Sequence, residues 1–172
     1  MAKFKRGFSL VDLVLSLGLV VILVGVAYWA FDPFGRLKKS RDEVRLANLT
    51  DLHRTLERAL ADKRELKSTF GAPSSSVGFD VSYAADGMGW VPVDLGGYIN
   101  TLPQDPLNGK TYTDAFKESV LAEYQFISDG KFYVIRTHLE HESNRALYGE
   151  DGADNSWYEV GTAPGMSTYF SL

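Results

Sequence analysis

The fold of this chain is decided near its N-terminus, where residues 3–31 read KFKRGFSLVDLVLSLGLVVILVGVAYWAF. A short basic tip ends at Arg6, a Gly-Phe pair follows, and from there to Phe31 the single charged side chain is that of Asp12. A helix needs about 20 mostly apolar residues to cross the hydrocarbon core of a bilayer, so this run is long enough to span one. The sequence therefore predicts a membrane-length helix over residues 8–31.

The run differs from a cleavable secretory signal. Such signals carry an apolar region of about 7–15 residues and end in small residues at the cleavage site. This run is longer, and it ends in the aromatic residues Tyr28, Trp29 and Phe31, which suit a membrane–water interface. Both features argue against an ordinary secretory signal.

Asp12 is the unusual residue of the run. A carboxylate deep in a membrane helix costs about 2.5–3.5 kcal/mol, and less near the end of the helix, where Asp12 lies. Two interpretations stay open on the residues alone. The side chain reaches the lipid headgroups, or it awaits a positively charged partner from a neighbouring chain.

The segment from Lys5 to Asp12, KRGFSLVD, resembles the class III signal of type IV pilins and of type II secretion pseudopilins. The resemblance implies that a prepilin peptidase cuts between Gly7 and Phe8 and that Phe8 is then N-methylated. It also implies that Asp12 stands at the acidic position, usually Glu, which offsets the N-terminal amine of an adjacent subunit during assembly. Asp keeps the charge of Glu but shortens the reach by one methylene group.

Basic residues do not decide the membrane orientation. Three of them lie within residues 3–6 and favour a cytoplasmic N-terminus, whereas four lie within residues 36–41 and favour the opposite. The resemblance implies the first orientation. It predicts a single-pass precursor in the cytoplasmic membrane, surrounded by inner-membrane lipid with its N-terminus inside, and an extracellular filament after assembly.

Composition limits the remaining functions. The chain has 172 residues, a net charge of -4 and no cysteine, which excludes thiol nucleophiles, thiol redox chemistry and Cys-ligated zinc. Mild acidity gives no general footprint for a nucleic-acid partner. Nucleophile-elbow, phosphate-loop and zinc-protease motifs are absent from the sequence. We therefore expect one small domain without enzymatic activity after the leader (residues 1–7) and the membrane helix.

Residues 32–67 predict an amphipathic half of the same helix, after a kink at Asp32-Pro33-Phe34-Gly35. Leucines recur at three- and four-residue spacing from Leu49 to Leu60 and predict one buried stripe. Charged residues are assigned to the opposite, solvated face, with pairing between filament subunits as the alternative. These residues are Arg45, Arg54, Glu57, Arg58 and Asp62.

Residues 68–97 are rich in Gly, Ser, Pro and Ala and predict a long helix-to-sheet loop, held to the body by the patch at 90–93. Residues 98–172 are predicted to form the C-terminal β domain. An Asp-Gly pair separates two alternating runs and predicts a hairpin of strands near 123–127 and 132–137. A final strand is predicted at 157–160.

Three further segments resemble major pseudopilin-like pilins: Ser40-Arg41-Asp42 with Arg45, the turn Leu102-Pro103-Gln104-Asp105-Pro106, and Leu139-Glu140 after the second hairpin strand. Asp105 is well placed to bond local backbone amides in such a turn. Together with the leader, they imply an α+β ladle fold of the pilin type. In that fold, one long N-terminal helix, half hydrophobic and half amphipathic, packs on a small antiparallel sheet.

The resemblance implies a structural subunit of a type IV pilus or pilus-like fimbrium. Such a subunit is made as a prepilin, is handled by the prepilin peptidase and a pilus assembly platform, and polymerises with itself into a helical homopolymer. Three alternatives stay open. They are a pseudopilin of a type II secretion system, a minor pilin that binds DNA or a ligand at the tip, and a plain membrane-anchored domain.

Metal binding is confined to one candidate segment, the acidic stretch from Glu140 to Asn155. Oxygen ligands on a Gly-containing loop suit calcium, with Asp151, Asp154 and Asn155 as the side-chain ligands. The alternative is that these acids only add solubilising charge. No other cofactor is predicted. His138 and His141 follow a strand and are predicted to be a surface pair, and His53 an ordinary, partly buried histidine.

Overall fold

Helix α1 (Leu10–Phe31) and helix α2 (Pro33–Ala61) follow one another in the computed structural model, which describes residues 9–69, 72–78, 80–150 and 156–163. The chain divides into two compact units, Met1–Leu37 and Lys38–Leu172. The first unit contains α1 and the start of α2. Within the helical stretch that begins at Leu10, one segment is long and apolar enough to cross a membrane, by length and composition alone.

A single residue, Asp32, separates the two helices. Its φ of 35° lies in the left-handed region, and its Oδ1 accepts a hydrogen bond from the Gly35 N–H at 3.1 Å. This bond satisfies one of the backbone donors that the start of a helix leaves open. Pro33 opens α2 at a position where no N–H is needed. The predicted interruption is therefore one residue long.

Helix α2 ends at Ala61, earlier than the predicted limit at residue 67. Lys63 adopts a left-handed φ of 63°. Its N–H bonds the carbonyl of Leu60 at 3.0 Å, and the Arg64 N–H bonds the carbonyl of Ala59 at 2.9 Å. These two bonds form a Schellman cap, which closes the helix. The position is usually occupied by Gly, so Lys63 gave no signal in the sequence.

The main sheet has four antiparallel strands: β1 (Ser74–Ser75), β4 (Gln125–Ser128), β5 (Tyr133–Thr137) and β6 (Tyr158–Gly161). They lie in the order β1–β4–β5–β6. A separate hairpin joins β2 (Thr111–Thr113) to β3 (Ser119–Leu121). The predicted hairpin is confirmed, with Ser128 opposite Tyr133 in the β4–β5 pair. The predicted final strand is confirmed as β6. A short 3₁₀ turn (Glu142–Asn144) and helix α3 (Leu147–Glu150) precede β6.

The core lies between α2 and the main sheet. The predicted stripe is buried at Leu49, Leu52, Leu56 and Ala59, and it packs with side chains of β4 and β5. The long segment at 68–97 also contributes to this core, because Trp90, Val91, Val93 and Leu95 are at most 3% exposed. Its predicted attachment at 90–93 is thus confirmed. The fold is α+β, with an N-terminal helix packed on a small antiparallel sheet.

Candidate functional site

Helix α1 presents an apolar surface on every side. Its Leu, Val and Ile side chains are 53–78% exposed. Asp12 is the single Asp, Glu, Lys, Arg or His between Leu10 and Phe31, and it too is exposed. Exposure of an apolar surface of this size to water is unfavourable. Lipid or other apolar helices would cover it.

Asp12 lies in the first turn of α1 and takes part in the N-terminal cap of the helix. Ser9 is the N-cap residue, and its Oγ accepts a hydrogen bond from the Val11 N–H at 3.3 Å. In return, the Ser9 N–H donates to Oδ2 of Asp12 at 3.1 Å. This reciprocal arrangement is a capping box, which satisfies backbone donors that would otherwise lack partners.

The other predicted site residues lie outside the described residues. This applies to Gly7 and Phe8, where cleavage and methylation are predicted, and to the predicted calcium ligands Asp151, Asp154 and Asn155. Within the described ranges, no group of three or more His, Asp or Glu side chains is arranged to hold a metal ion.

The second unit, Lys38–Leu172, which we call the β-domain unit, contains a buried ion cluster centred on Arg45. The guanidinium is fully buried and forms two parallel bonds to Asp105, from Nε to Oδ2 at 2.6 Å and from Nη2 to Oδ1 at 3.0 Å. Nη1 donates to Asp42 at 2.9 Å and to Glu140 at 2.7 Å. One cation therefore serves three carboxylates. The Tyr112 ring covers it, with 4.6 Å between Cζ and the ring centroid.

A second arginine, Arg41, adds a positive charge to the cluster. Nε and Nη2 of Arg41 bind the two oxygens of Glu140 at 2.8 and 2.6 Å. Asp42 accepts the backbone N–H groups of Glu140 and His141, both at 2.8 Å, and the side-chain amide of Asn144 at 2.7 Å. Each buried carboxylate thus has charged or polar partners, as burial of a charge requires.

The arrangement shifts the pKa values of Arg45 and Glu140. Burial opposes the charge of Arg45, but hydrogen bonds to Asp105 and Glu140 outweigh it and raise the pKa of the guanidinium. Burial likewise favours neutral Glu140, yet the bonds from Arg41 and Arg45 prevail and hold the pKa of this carboxyl below its ordinary value. Arg45 and Glu140 therefore both carry their charges at neutral pH.

The cluster corrects the prediction for Arg45 and accounts for Glu140, the first acid of the predicted metal segment. Arg45 was assigned to the solvated face of α2, but it is fully buried because three carboxylates from separate segments converge on it. The missed signal is spacing: Asp42 and Arg45 extend the buried stripe backwards from Leu49 at three- and four-residue intervals. Glu140 belonged to the acidic metal candidate, but both its oxygens bind arginine.

The histidines occupy different settings. The His138 side chain is 11% exposed and packs against Trp157 in a tilted arrangement with ring centroids 3.8 Å apart, so the prediction of a surface pair was wrong for this residue. Nδ1 of His141 lies 2.7 Å from the Ser143 hydroxyl and caps the 3₁₀ turn. His53 is partly buried, as predicted, with Nδ1 2.8 Å from the Tyr133 hydroxyl.

The segments 40–45, 102–106 and 139–140 each contribute side chains to the ion cluster. Asp42 and Arg45 come from the first, Asp105 from the Leu-Pro-x-Asp-Pro turn, and Glu140 from the Leu-Glu pair.

Comparison with family models, with curated proteins and with solved structures gives no match to this chain.

Proposed function

We propose that this chain is the precursor of a structural subunit of a type IV pilus or pilus-like filament, without enzymatic activity. In this proposal, the chain is inserted with its N-terminus in the cytoplasm, and a prepilin peptidase cuts after Gly7 and methylates Phe8. An assembly platform then moves the subunit out of the bilayer. The α1 helices of many copies pack together, and the subunit becomes part of an extracellular filament.

One observation carries this proposal: α1 exposes apolar side chains on all sides and bears one carboxylate, Asp12, in its first turn. A bilayer covers such a helix in the monomer, and neighbouring α1 helices cover it in a filament. The carboxylate is costly in both settings unless a cation approaches it. The N-terminal amine of a neighbouring subunit, created by cleavage before Phe8, is such a cation.

The β-domain unit suits a subunit of this kind. A filament subunit has to keep its fold while it leaves the membrane, and this chain has no disulfide to help. The buried cluster around Arg45 connects α2 to the 102–106 turn and to the segment after β5. We assign the cluster a structural role, because every carboxylate in it is occupied by protein donors.

Intact-mass and N-terminal analysis of the protein purified from its own cells tests the proposal. The expected chain begins at Phe8 with a mass increased by one methyl group. A Gly7→Leu variant is the matched control and should keep the leader. A wild-type chain that begins at Met1 or Ala2, in cells with an active peptidase, contradicts the proposal and leaves a plain membrane anchor.

The secretion pseudopilin stays as the second candidate, since the turn around Asp105 resembles that class. Abundance distinguishes the two. A pilus subunit dominates filaments sheared from the cell surface, whereas a secretion pseudopilin stays with the envelope fraction.

A further inference from the structure

A cavity of about 170 Å³ opens between α2 and the segment 99–103 of the β-domain unit. A dry cavity of about 150 Å³ is large enough to bind benzene, so this one has room for an organic molecule of about six non-hydrogen atoms. The described residues that line it are not members of the ion cluster around Arg45. The cavity is therefore a second place in the unit where a ligand could bind.

The polar side chains of the cavity are left as hydrogen-bond acceptors. Nδ2 of Asn48 donates to the Tyr124 hydroxyl at 2.9 Å and to the Gln104 carbonyl at 3.4 Å, and Oδ1 of Asn48 can only accept. The Thr55 hydroxyl donates to the Asp51 carbonyl at 2.8 Å, so its oxygen can then only accept. The ionised carboxylate of Asp51 also has no hydrogen to donate. These three side chains favour a ligand that is rich in donors.

Asp51 gives the cavity a negative charge. Among the described lining residues it is the single Asp, Glu, Lys, Arg or His. Its Oδ1 lies 3.7 Å from Nη1 of Arg54, and both side chains are well exposed. Exposed ion pairs of this kind are weak. The carboxylate can therefore take a second cation.

The remaining wall of the cavity is apolar. Leu52 and Leu102 are each 3% exposed, and Ile99 and Pro103 are partly buried. Contact with these side chains would remove the carbon atoms of a ligand from water, which is favourable. A bare inorganic cation would gain nothing from this surface, whereas an organic cation would.

From these features we infer that the cavity binds a small organic cation, namely a primary amine on a short apolar stem. An ammonium group carries three N–H donors and no acceptor, which matches the acceptors of Asn48, Asp51 and Thr55. The stem contacts Leu52 and Leu102. Binding is non-covalent. This site is separate from the filament function proposed above, and neither depends on the other.

Titration of the isotope-labelled full-length chain with butylammonium, in detergent micelles, tests the inference. The backbone amide signals of Leu52 and Leu102, followed by NMR, should shift in a saturable way. 1-Butanol and butyrate have the same stem but no positive charge, so each is expected to bind at least about fivefold more weakly. The two compounds also control for partition of the stem into the micelle. Equal binding of butylammonium and 1-butanol, or the lack of a saturable shift, overturns the inference.

Two variants test the position of the site. Asp51→Asn keeps the size of this exposed side chain but removes its charge, and it should raise the dissociation constant of butylammonium about fivefold. Glu43→Gln removes an exposed carboxylate of the same helix that does not line the cavity, and it should leave the constant unchanged. An unchanged constant in Asp51→Asn, or equal weakening by both variants, overturns the inference. None of these results alters the cleavage expected before Phe8, which is tested separately.

Discussion

Arg45 and Asp105 form a two-bond pair, 2.6 and 3.0 Å long, between positions 60 residues apart in the sequence. The side chains of both residues are fully shielded from solvent. The planar guanidinium matches the two carboxylate oxygens, so the pair fixes direction as well as distance. It fastens α2 to the turn at 102–106. The remaining donors of Arg45 reach Asp42 and Glu140.

Replacement of Arg45 by Ala is expected to lower the free energy of unfolding by about 3–5 kcal/mol, because Asp105 and Asp42 are left buried without their cation. Arg45→Lys keeps the charge but loses the planar fork, so an intermediate loss is expected. Urea unfolding of the full-length chain in detergent micelles, followed by near-UV circular dichroism, gives the values.

Arg54 on the same helix is the matched control for this prediction. Its side chain is 65% exposed, and its contact to Asp51 is 3.7 Å long. Arg54→Ala should change the free energy of unfolding by less than about 0.5 kcal/mol. Equal effects of Arg45→Ala and Arg54→Ala would show that the buried cluster contributes no more to the free energy of unfolding than a surface ion pair.

Acidification should weaken the fold through Glu140. Its pKa is lowered in the folded chain, where burial is outweighed by the bonds from Arg41 and Arg45, so the unfolded chain binds the proton more readily. The stabilisation is complete above the ordinary Glu pKa of about 4.3 and is lost as the pH falls through the lower, folded pKa. Urea midpoints measured from pH 6 down to about pH 3 should fall, and Glu140→Gln should flatten the curve. The exposed Glu43 on α2 offers the control: Glu43→Gln should follow the wild-type profile.

The junction at Asp32 depends on the absence of a side chain at Gly35. A Cβ at Gly35 would lie 2.0 Å from Oδ2 of Asp32, so Gly35→Ala must displace the carboxylate that caps α2. We expect a loss of about 1 kcal/mol in local helix stability, although Ala is the better helix former. Amide exchange at Gly35 and Arg36 in micelles measures it. Gly18→Ala, which meets no atom within 4 Å, should gain about 0.5–1 kcal/mol instead. A gain in both variants would refute the proposed cap.

Gly161 marks a close approach between strands β5 and β6. A Cβ there would lie 2.2 Å from the Tyr133 carbonyl oxygen and 2.8 Å from the Val134 Cα, both backbone atoms that cannot rotate away. Gly161→Ala should destabilise the domain by about 1–3 kcal/mol. Gly149 meets nothing within 4 Å, so Gly149→Ala should be tolerated. Thermal unfolding of both variants is the measurement, and a wild-type midpoint for Gly161→Ala would contradict the close approach.

Asp12→Ala should abolish filaments and leave membrane insertion intact. In the proposed filament, loss of the carboxylate would leave the neighbour's N-terminal amine buried and unpaired, which costs several kcal/mol per subunit. Membrane fractionation and electron microscopy of sheared material report the two properties separately. Normal filaments from this variant would exclude the ionic contact.

The helices and the hairpin could be predicted because their signals are local. Leucine spacing predicted the buried stripe of α2, and the Asp-Gly turn at 129–130 predicted the pairing of β4 with β5. The end of α2 could not be predicted as well, because Lys63 occupies a left-handed position without the usual glycine.

The ion cluster was missed for a different reason. The charge of Arg45 by itself favours a solvated face, and the acidic neighbours of Glu140 favour a metal-binding loop. Convergence of residues 42, 105 and 140 is a property of tertiary structure, and no local pattern reports it. One local feature did indicate burial: Arg45 continues the spacing of the buried leucine stripe. The same limit applies to His138, whose ring packs against Trp157, the residue that precedes β6.

The two parallel bonds between Arg45 and Asp105 also affect the resistance of the chain to pulling. Under the proposed function, extraction of the chain from the bilayer by its helix would put α2 and the β domain under tension, and the cluster is one of the contacts that would bear this tension. Resistance to pulling is governed by the rate of unfolding rather than by equilibrium stability. Two parallel bonds must break together before the helix slips. The cluster would then help to set the force at which α2 separates from the β domain.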